Sequence, residues 1–466
     1  MGRLDVLVDV TAFLSTPAIA AVVAGVLGMP GGLAPVTAAT VSDALARPAA
    51  TAGVTSVGSV PSGIPKPFVG PDPVGGGPSI DTLARLDGVT LLDELVALTP
   101  AERGEFLQIH PETLTELAAS PPAASAVAGW WSRTTIPSRV ALAQELPAVV
   151  GNLEGVPYAV RDLANRAHLT ATVFDIRAQL DAGVGRAMED ELRARLKMLT
   201  AVERSLVTGP SGELRRLVSL DVTGQGRAVV SVGDLASADY VSFFVPGMYV
   251  GVAEQLVDWT GNAETSLLEQ TEWLARLGVD AEVATVAWIG YQTPTIVSVS
   301  SFDLAYQGRD ALTWSLDGLD AIRGADAPYL TVVAHSYGST AAMLALQEND
   351  VTVDALVAVA SPGSPARTVD ELKVADGNVW VAAADTDPVP RSGIFGSQPL
   401  DEAFGAHRFS VRGTTDPITG EELADIDGHV YYFWPGTTAV RNTALIAIGH
   451  GDLATTDTIL ARASAR

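Results

Sequence analysis

Residues 331–340 have the sequence Thr331-Val-Val-Ala-His-Ser336-Tyr-Gly338-Ser-Thr340, an apolar run that stops at a serine and continues into an alanine-rich segment. Small residues two positions before and after the serine, Ala334 and Gly338, allow a strand to turn sharply into a helix. Such an elbow holds the serine hydroxyl at the strand's carboxyl end and directs the backbone N–H of Tyr337 at a developing oxyanion. The usual pattern has glycine in place of Ala334, and alanine fits only if its φ stays negative. We therefore interpret Ser336 as a nucleophile, with an ordinary N-capping serine as the alternative.

A serine nucleophile needs a base to take its proton and an acid to orient that base, in the chain order serine, acid, histidine. Two carboxylates, Asp385 and Asp387, follow the apolar run that begins at Val379. We predict Asp387 as the acid, because the sequence Asp-Pro-Val-Pro places it at a turn that proline fixes. Asp385 is the alternative acid, and a loop-capping aspartate is the other interpretation of either residue.

Three histidines lie downstream of the acid, His407, His429 and His450. His429 follows an Asp-Gly pair and precedes the aromatic segment 430–434, which indicates an exposed loop tip beside apolar cover. His407 lies in a strand-like run, where a core histidine is the ordinary explanation. We predict His429 as the base, with His450 as the next candidate.

The oxyanion hole needs a second N–H from the loop after an earlier strand. The run Val245-Pro-Gly-Met248 supplies a strand end, a Pro-Gly turn and a helix start, so we predict the amide of Met248 as the partner of Tyr337. Four aromatic residues are candidates for lining a substrate pocket, with burial in the core as the alternative. They are Trp288, Tyr291, Tyr431 and Trp434.

Charge and composition exclude several classes of function. The 466-residue chain has a formal net charge of −25 and would be repelled by nucleic acids and anionic membrane surfaces, so no nucleic-acid partner is expected. It has no cysteine, which rules out disulfides, cysteine-based zinc sites and a cysteine nucleophile. Its six histidines are scattered without paired spacing, so we expect neither a metal nor another cofactor.

The composition changes along the chain and predicts three parts. Residues 1–79 are rich in Ala, Gly and Pro and indicate a helix followed by a linker. Within them, residues 10–29 are nearly uncharged, but their acidic flank and small residues favour a buried or partner-facing helix over a membrane span or a clear signal peptide. The location is therefore left open between the cytoplasm and export. Residues 80–207 have a helical apolar period, and residues 208–466 are predicted to form the catalytic domain.

In that third part, short β-branched runs alternate with helical segments, which implies a mostly parallel sheet with helices on both faces and ligands at the carboxyl ends of its strands. Just before it, Arg161, Asp162, Asn165 and Arg166 lie on adjacent faces of a predicted helix, as an interface to the sheet or as a solvated charged face. The predicted strands span residues 216–220, 227–232, 240–245, 283–289, 329–335, 355–360 and 379–384.

Residues from about 145 to 455 resemble a family of actinobacterial α/β-hydrolases formerly described as a domain of unknown function. The resemblance implies an α/β-hydrolase core behind a helical N-terminal part, with Ser336, Asp387 and His429 at the positions of the triad. Such proteins often look like esterases or lipases, and the resemblance implies little more about the substrate. The motifs that carry it are Asn152-Leu-Glu-Gly-Val-Pro, Arg161-Asp-x-x-Asn-Arg, Phe244-Val-Pro-Gly-Met, Ala287-Trp-Ile-Gly-Tyr, Val333-Ala-His-Ser-Tyr-Gly-Ser, Ala360-Ser-Pro-Gly, Asp385-x-Asp387-Pro-Val and Gly428-His429.

These observations favour a serine hydrolase that cleaves a small-molecule or lipid carboxylic ester through an acyl-enzyme. One alternative is a catalytically weak hydrolase-fold scaffold whose helical N-terminal region binds a protein partner or serves export. An acyltransferase or a peptidase with the same triad is another alternative.

Overall fold

The computed structural model of the protein describes residues 80–456. The expectations for residues 1–79, including the apolar stretch 10–29, lie outside this part of the chain. Within it, no helix is both long and apolar enough to cross a membrane.

A helical region comes first, as the apolar period predicted. Two of its helices begin at Thr-x-Pro or Thr-Pro starts, where the threonine hydroxyl accepts a backbone N–H of the first turn; at Thr99 the side chain of Glu102 completes a capping box. Its own core is built around Trp130, Trp131 and Phe106. The helices are α1 (Ile80–Leu83), α2 (Gly88–Ala97), α3 (Pro100–Ile109), α4 (Glu112–Ala119), α5 (Ala124–Arg133), α6 (Ile136–Glu145), α7 (Pro147–Val150), α8 (Tyr158–Ala182) and α9 (Arg186–Ser205).

The remaining described residues form an eight-stranded sheet in the order β1-β2-β4-β3-β5-β6-β7-β8. The strands from β3 onward pair in parallel, whereas β1 pairs with β2 and β2 with β4 in antiparallel fashion. The predicted α/β fold with a mostly parallel sheet behind a helical region is thus confirmed. The strands are β1 (Arg215–Asp221), β2 (Arg227–Val232), β3 (Tyr240–Val245), β4 (Val283–Ile289), β5 (Tyr329–His335), β6 (Ala355–Val359), β7 (Val379–Ala382) and β8 (His407–Arg408), with a separate hairpin of β9 (Thr414–Thr415) and β10 (Glu422–Leu423).

Helices cover both faces of the sheet, which explains why the central strands are apolar on both sides. All seven residues of β4 are buried, as expected for a strand between two helical layers. Helices α11 and α12 pack on one face, and α10 and α13 on the other. These four helices are α10 (Val252–Leu277), α11 (Asp303–Arg323), α12 (Tyr337–Glu348) and α13 (Thr438–Ala447).

Polar side chains of α8 join the helical region to the edge strand β1. Asp162 accepts the N–H of Leu217 at 2.7 Å, and the Asn165 amide donates to the carbonyl of Leu217 at 3.0 Å. Arg166 donates to the carbonyl of Arg215 at 2.7 Å. The interpretation as an interface is therefore confirmed for Asp162, Asn165 and Arg166, which occupy hydrogen-bonding groups of β1 that a further strand would otherwise take. Arg161 bonds Gly151 and Glu154 instead.

Candidate active site

Ser336 lies between β5 and α12 in a strained conformation, with φ 52° and ψ −131°. Its N–H donates to the carbonyl of Val359 on β6, which anchors the turn. A Cβ on Gly338 would lie 2.4 Å from the carbonyl oxygen of Pro246, so only glycine lets the helix approach β3 this closely. Ala334 is not among the described residues with positive φ, which explains why alanine is tolerated where glycine is usual.

A chain of hydrogen bonds runs from the serine through His429 to Asp387. The Ser336 Oγ lies 2.8 Å from Nε2 of His429, and Nδ1 of the same ring lies 2.9 Å from Oδ2 of Asp387. The carboxylate only accepts, so the ring carries its proton on Nδ1 and Nε2 is free to accept from the serine. Asp387 is 1% exposed, and its other oxygen accepts the N–H of Val389 at 3.0 Å.

Asp385, the alternative acid, takes no part in the hydrogen bonds that join Ser336, His429 and Asp387. Its carboxylate lies 2.7 Å from the guanidinium of Arg412, and 66% of its side chain is exposed. The structure therefore brings Asp387 and not Asp385 to His429. The other two histidines lie elsewhere: His407 is exposed on β8 with its ring against Trp380, and His450 follows α13.

The loop that carries His429 is tied to the loop that carries the acid. Thr386 donates to Asp427 at 2.5 Å and accepts the N–H of Gly428 at 2.8 Å. Tyr432 donates to Oδ2 of Asp387 at 3.3 Å and accepts the N–H of Ala384 at 2.9 Å. Burial raises the pKa of Tyr432, so its hydroxyl remains a donor.

Sequence reasoning did not find Thr386 or Tyr432. Both contacts of Tyr432 join residues at least 45 positions apart, and a tyrosine in an aromatic segment carries no distinguishing local signal.

The backbone amides of Met248 and Tyr337 belong to the two segments that meet at Ser336, the turn after β3 and the start of α12. Neither donates to an acceptor within residues 80–456. A Cβ on Gly247 would lie 2.7 Å from the Cβ of Ser336, so glycine is needed for the Met248 turn to close on the elbow. The Tyr337 hydroxyl donates to the carbonyl of Ser301 at 2.6 Å, which fixes the first turn of α12.

The four aromatic candidates for pocket lining divide into two pairs. Trp288 and Tyr291 stack on each other inside the core, and the Tyr291 hydroxyl donates to the carbonyl of Pro246 at 2.7 Å. For this pair the pocket interpretation is wrong, because both side chains are taken up by core packing and by support of the Pro246-Gly247 turn. Tyr431 and Trp434 have ring centroids 4.1 Å apart beside His429, and Trp434 is 53% exposed.

Backbone strain is concentrated at this edge of the sheet. Among the described residues, the non-glycine positions with positive φ include Tyr249, Ser336, Ala360 and Tyr431. The first three lie just after β3, β5 and β6, and the fourth lies two residues after His429. Strain of this kind costs roughly 1–3 kcal/mol at each position and is typical of functional sites. Within residues 80–456, no group of three His, Cys, Asp or Glu side chains is placed to hold a metal ion.

Comparisons with known proteins agree with this architecture. Residues 221–396 match the model of a family described as alpha/beta hydrolase. The uncharacterized protein Rv2079 of Mycobacterium tuberculosis is 26% identical over 400 residues, which cover 76% of this chain and 60% of the relative. The chain thus spans about 60% of the length of this relative. Rv0963c of the same organism, also uncharacterized, is 30% identical over 220 residues, which cover 44% of this chain and 80% of the relative.

Among solved structures, a dienelactone hydrolase from Anabaena variabilis is 16% identical, with a TM-score of 0.30, and the match covers 52% of this chain and 99% of that one. An arylesterase is 13% identical, with a TM-score of 0.33, and the match covers 61% and 98%. Residues 221–396 match the family model, and the chain covers 80% of Rv0963c at 30% identity. The protein therefore belongs to the alpha/beta hydrolase family.

Proposed function

We propose that the protein is a serine hydrolase that cleaves carboxylic esters through an acyl-enzyme. The observation that carries the proposal is the unbroken hydrogen-bonded chain Ser336–His429–Asp387, which ends at a strained elbow between two unpartnered amides. A polar chain of this geometry can move a proton away from a hydroxyl, and the free amides can bind the negative charge that develops.

In the first half-reaction, Ser336 Oγ attacks the acyl carbon while its proton passes to Nε2 of His429. The carbonyl π electrons move to the oxygen, which the N–H groups of Met248 and Tyr337 bind. Asp387 holds Nδ1–H and stabilises the imidazolium. Collapse of the tetrahedral intermediate breaks the ester C–O bond, and His429 protonates the departing alkoxide. A water then attacks the acyl-enzyme by the same steps and releases the acid.

The surroundings of the site favour an ester with an apolar portion. Tyr431 and Trp434 follow His429 in the base loop, and Tyr249, which is 39% exposed, follows Met248 in the turn after β3. Exposed aromatic side chains of this kind contact apolar groups and exclude water from a reacting centre.

The experiment is turnover of p-nitrophenyl esters by the wild-type chain and by Ser336→Ala. We expect kcat to fall by about 10⁴-fold or more, since the other triad members cannot act without the nucleophile. Ser237→Ala is the matched control, because Ser237 precedes β3 at the end of the sheet opposite Ser336. Its exposed hydroxyl donates to Glu282, which precedes β4. Equal turnover by wild type and Ser336→Ala would reject the proposal, and a chain with no turnover at all would favour a scaffold role.

A further inference from the structure

His335, the residue just before the nucleophile, contacts the loop that carries the base. Its Nε2 lies 2.7 Å from the backbone carbonyl oxygen of His429. A carbonyl only accepts, so His335 carries its proton on Nε2 and donates. This bond joins two residues 94 positions apart and links the end of β5 directly to the base loop.

The ring of His335 is held on several sides. Its centroid lies 5.0 Å from that of His429 and 5.8 Å from that of Tyr432, and it meets Phe433 edge-on at 6.3 Å. A Cβ on Gly247 would lie 3.3 Å from Nδ1 of His335, so the ring also borders the Met248 turn. His335 therefore contacts both the base loop and the Met248 turn from its position next to Ser336.

His335 stays neutral in this position. Burial, and then the neighbouring His429 ring, lower the pKa of His335 to about 3. A neutral ring can donate from Nε2 without placing a second positive charge beside the imidazolium that His429 forms during turnover.

We propose that His335 is a positioning residue, whose Nε2–H fixes the His429 backbone so that the His429 ring stays within hydrogen-bond reach of Ser336. This inference rests on the proposed ester hydrolysis. The Ser336 Oγ contacts His429 Nε2 at 2.8 Å, and Asp387 holds the ring through Nδ1. Among residues 80–456, only His335 ties the backbone of the base to the strand that bears the nucleophile.

Two variants separate the hydrogen bond from the ring's packing. His335→Phe keeps a planar ring and removes the donor, whereas His335→Gln keeps an N–H the same number of bonds from the backbone as Nε2. We expect His335→Phe to lower kcat for p-nitrophenyl esters by about 10- to 100-fold with little change in KM, since a misplacement near 1 Å costs about that much. His335→Gln should recover kcat to within about fivefold of wild type, because its N–H restores the bond.

His407→Phe, a change at an exposed histidine on β8, serves as the control and should leave kcat unchanged. Unfolding midpoints of all variants are measured in urea, so that kcat refers to folded protein. The positioning role is overturned if His335→Phe keeps wild-type kcat, or if His335→Gln falls as far as His335→Phe. Turnover that depends on Ser336 and not on His335 would reject only this inference and leave the proposed function standing.

Discussion

Two polar networks of the molecule are both largely buried, but they differ in backbone conformation and in the pairing of their backbone donors. One is the seam where α8 and the preceding turn meet β1, and the other is the site where β5 ends at Ser336. In the seam, both Asn152 functional groups are used: its amide donates to the carbonyls of Ala148 and Leu220, and its oxygen accepts from Ser219 and Leu220. At the site, two amides remain without an acceptor among residues 80–456.

The central ion pair of the seam follows the same pattern. Arg161, which is 1% exposed, donates two bonds to the carboxylate of Glu154 and one to the carbonyl of Gly151. Its guanidinium also lies over the ring of Tyr158. Most polar groups there are paired, with Asn165 Oδ1 and Arg215 Nε as exceptions among residues 80–456. No non-glycine residue of α8 or β1 has a positive φ, and a network of this kind stabilises one arrangement of the chain.

The two networks differ in backbone conformation and in unpaired backbone donors, not in burial. Burial and charge do not distinguish them, since Asp387 and Arg161 are equally buried. The site differs in its positive φ values at Ser336 and Tyr431. It also differs in the amides of Met248 and Tyr337, which have no acceptor among residues 80–456. Unpaired donors beside a strained backbone are the features that favour the proposed reactive role of the site.

After loss of the nucleophile, the largest effect at the site is expected from substitution of the acid. Asp387→Asn should lower kcat by about 10⁴-fold, because the asparagine amide favours the wrong His429 tautomer. Asp385→Asn, two positions away, should change kcat by less than about threefold, because this exposed carboxylate pairs with Arg412 at the surface. Ester turnover of both variants measures the difference. A larger loss with Asp385→Asn would reverse the assignment of the acid.

A substitution in the seam should lower the stability of the protein and leave its catalytic activity unchanged. Arg161→Met leaves Glu154, whose side chain is only 14% exposed, without its partner, which should lower the free energy of unfolding by about 3–5 kcal/mol. Burial raises the pKa of Glu154, so the loss should shrink at low pH, where this carboxyl takes up a proton. Urea unfolding measures the change, with Arg193→Met in an exposed pair as the control. Turnover per folded molecule should be retained, and its loss would show that the seam acts on the site.

The smallest effect expected is the pH dependence that His335 adds to stability. Below its ordinary pKa of 6.5 the unfolded chain protonates this ring, whereas the folded chain does not until about pH 3. The free energy of unfolding should therefore fall on acidification across this window, by at most about 1.4 kcal/mol per pH unit from this group. Comparing urea unfolding of wild type and His335→Gln from pH 7 to 4 isolates the contribution. Parallel curves would contradict it.

Much of the fold and of the candidate site could be predicted from the sequence, because the signals that indicate them are local. The small residues around Ser336, the alternation of strands and helices, and the order of Asp387 and His429 follow from spacing along the chain. The polar residues of α8 likewise have a recognisable helical spacing.

The remaining features depend on contacts between distant segments. Which of Asp385 and Asp387 turns inward depends on how the 384–390 loop meets the base loop. The donation by His335 to the His429 carbonyl spans 94 residues. Trp288 is buried because helices cover both faces of β4, and the residues next to it in sequence do not reveal this.

Covalent labelling tests most directly whether Ser336 is the nucleophile. The wild-type chain is incubated with a fluorophosphonate ester, digested and analysed by mass spectrometry to locate the adduct. The proposed mechanism predicts one phosphonylated residue, Ser336, with labelling abolished in Ser336→Ala and slowed in Asp387→Asn. A chain that turns over esters while Ser336 stays unmodified, or while another serine carries the label, would contradict it.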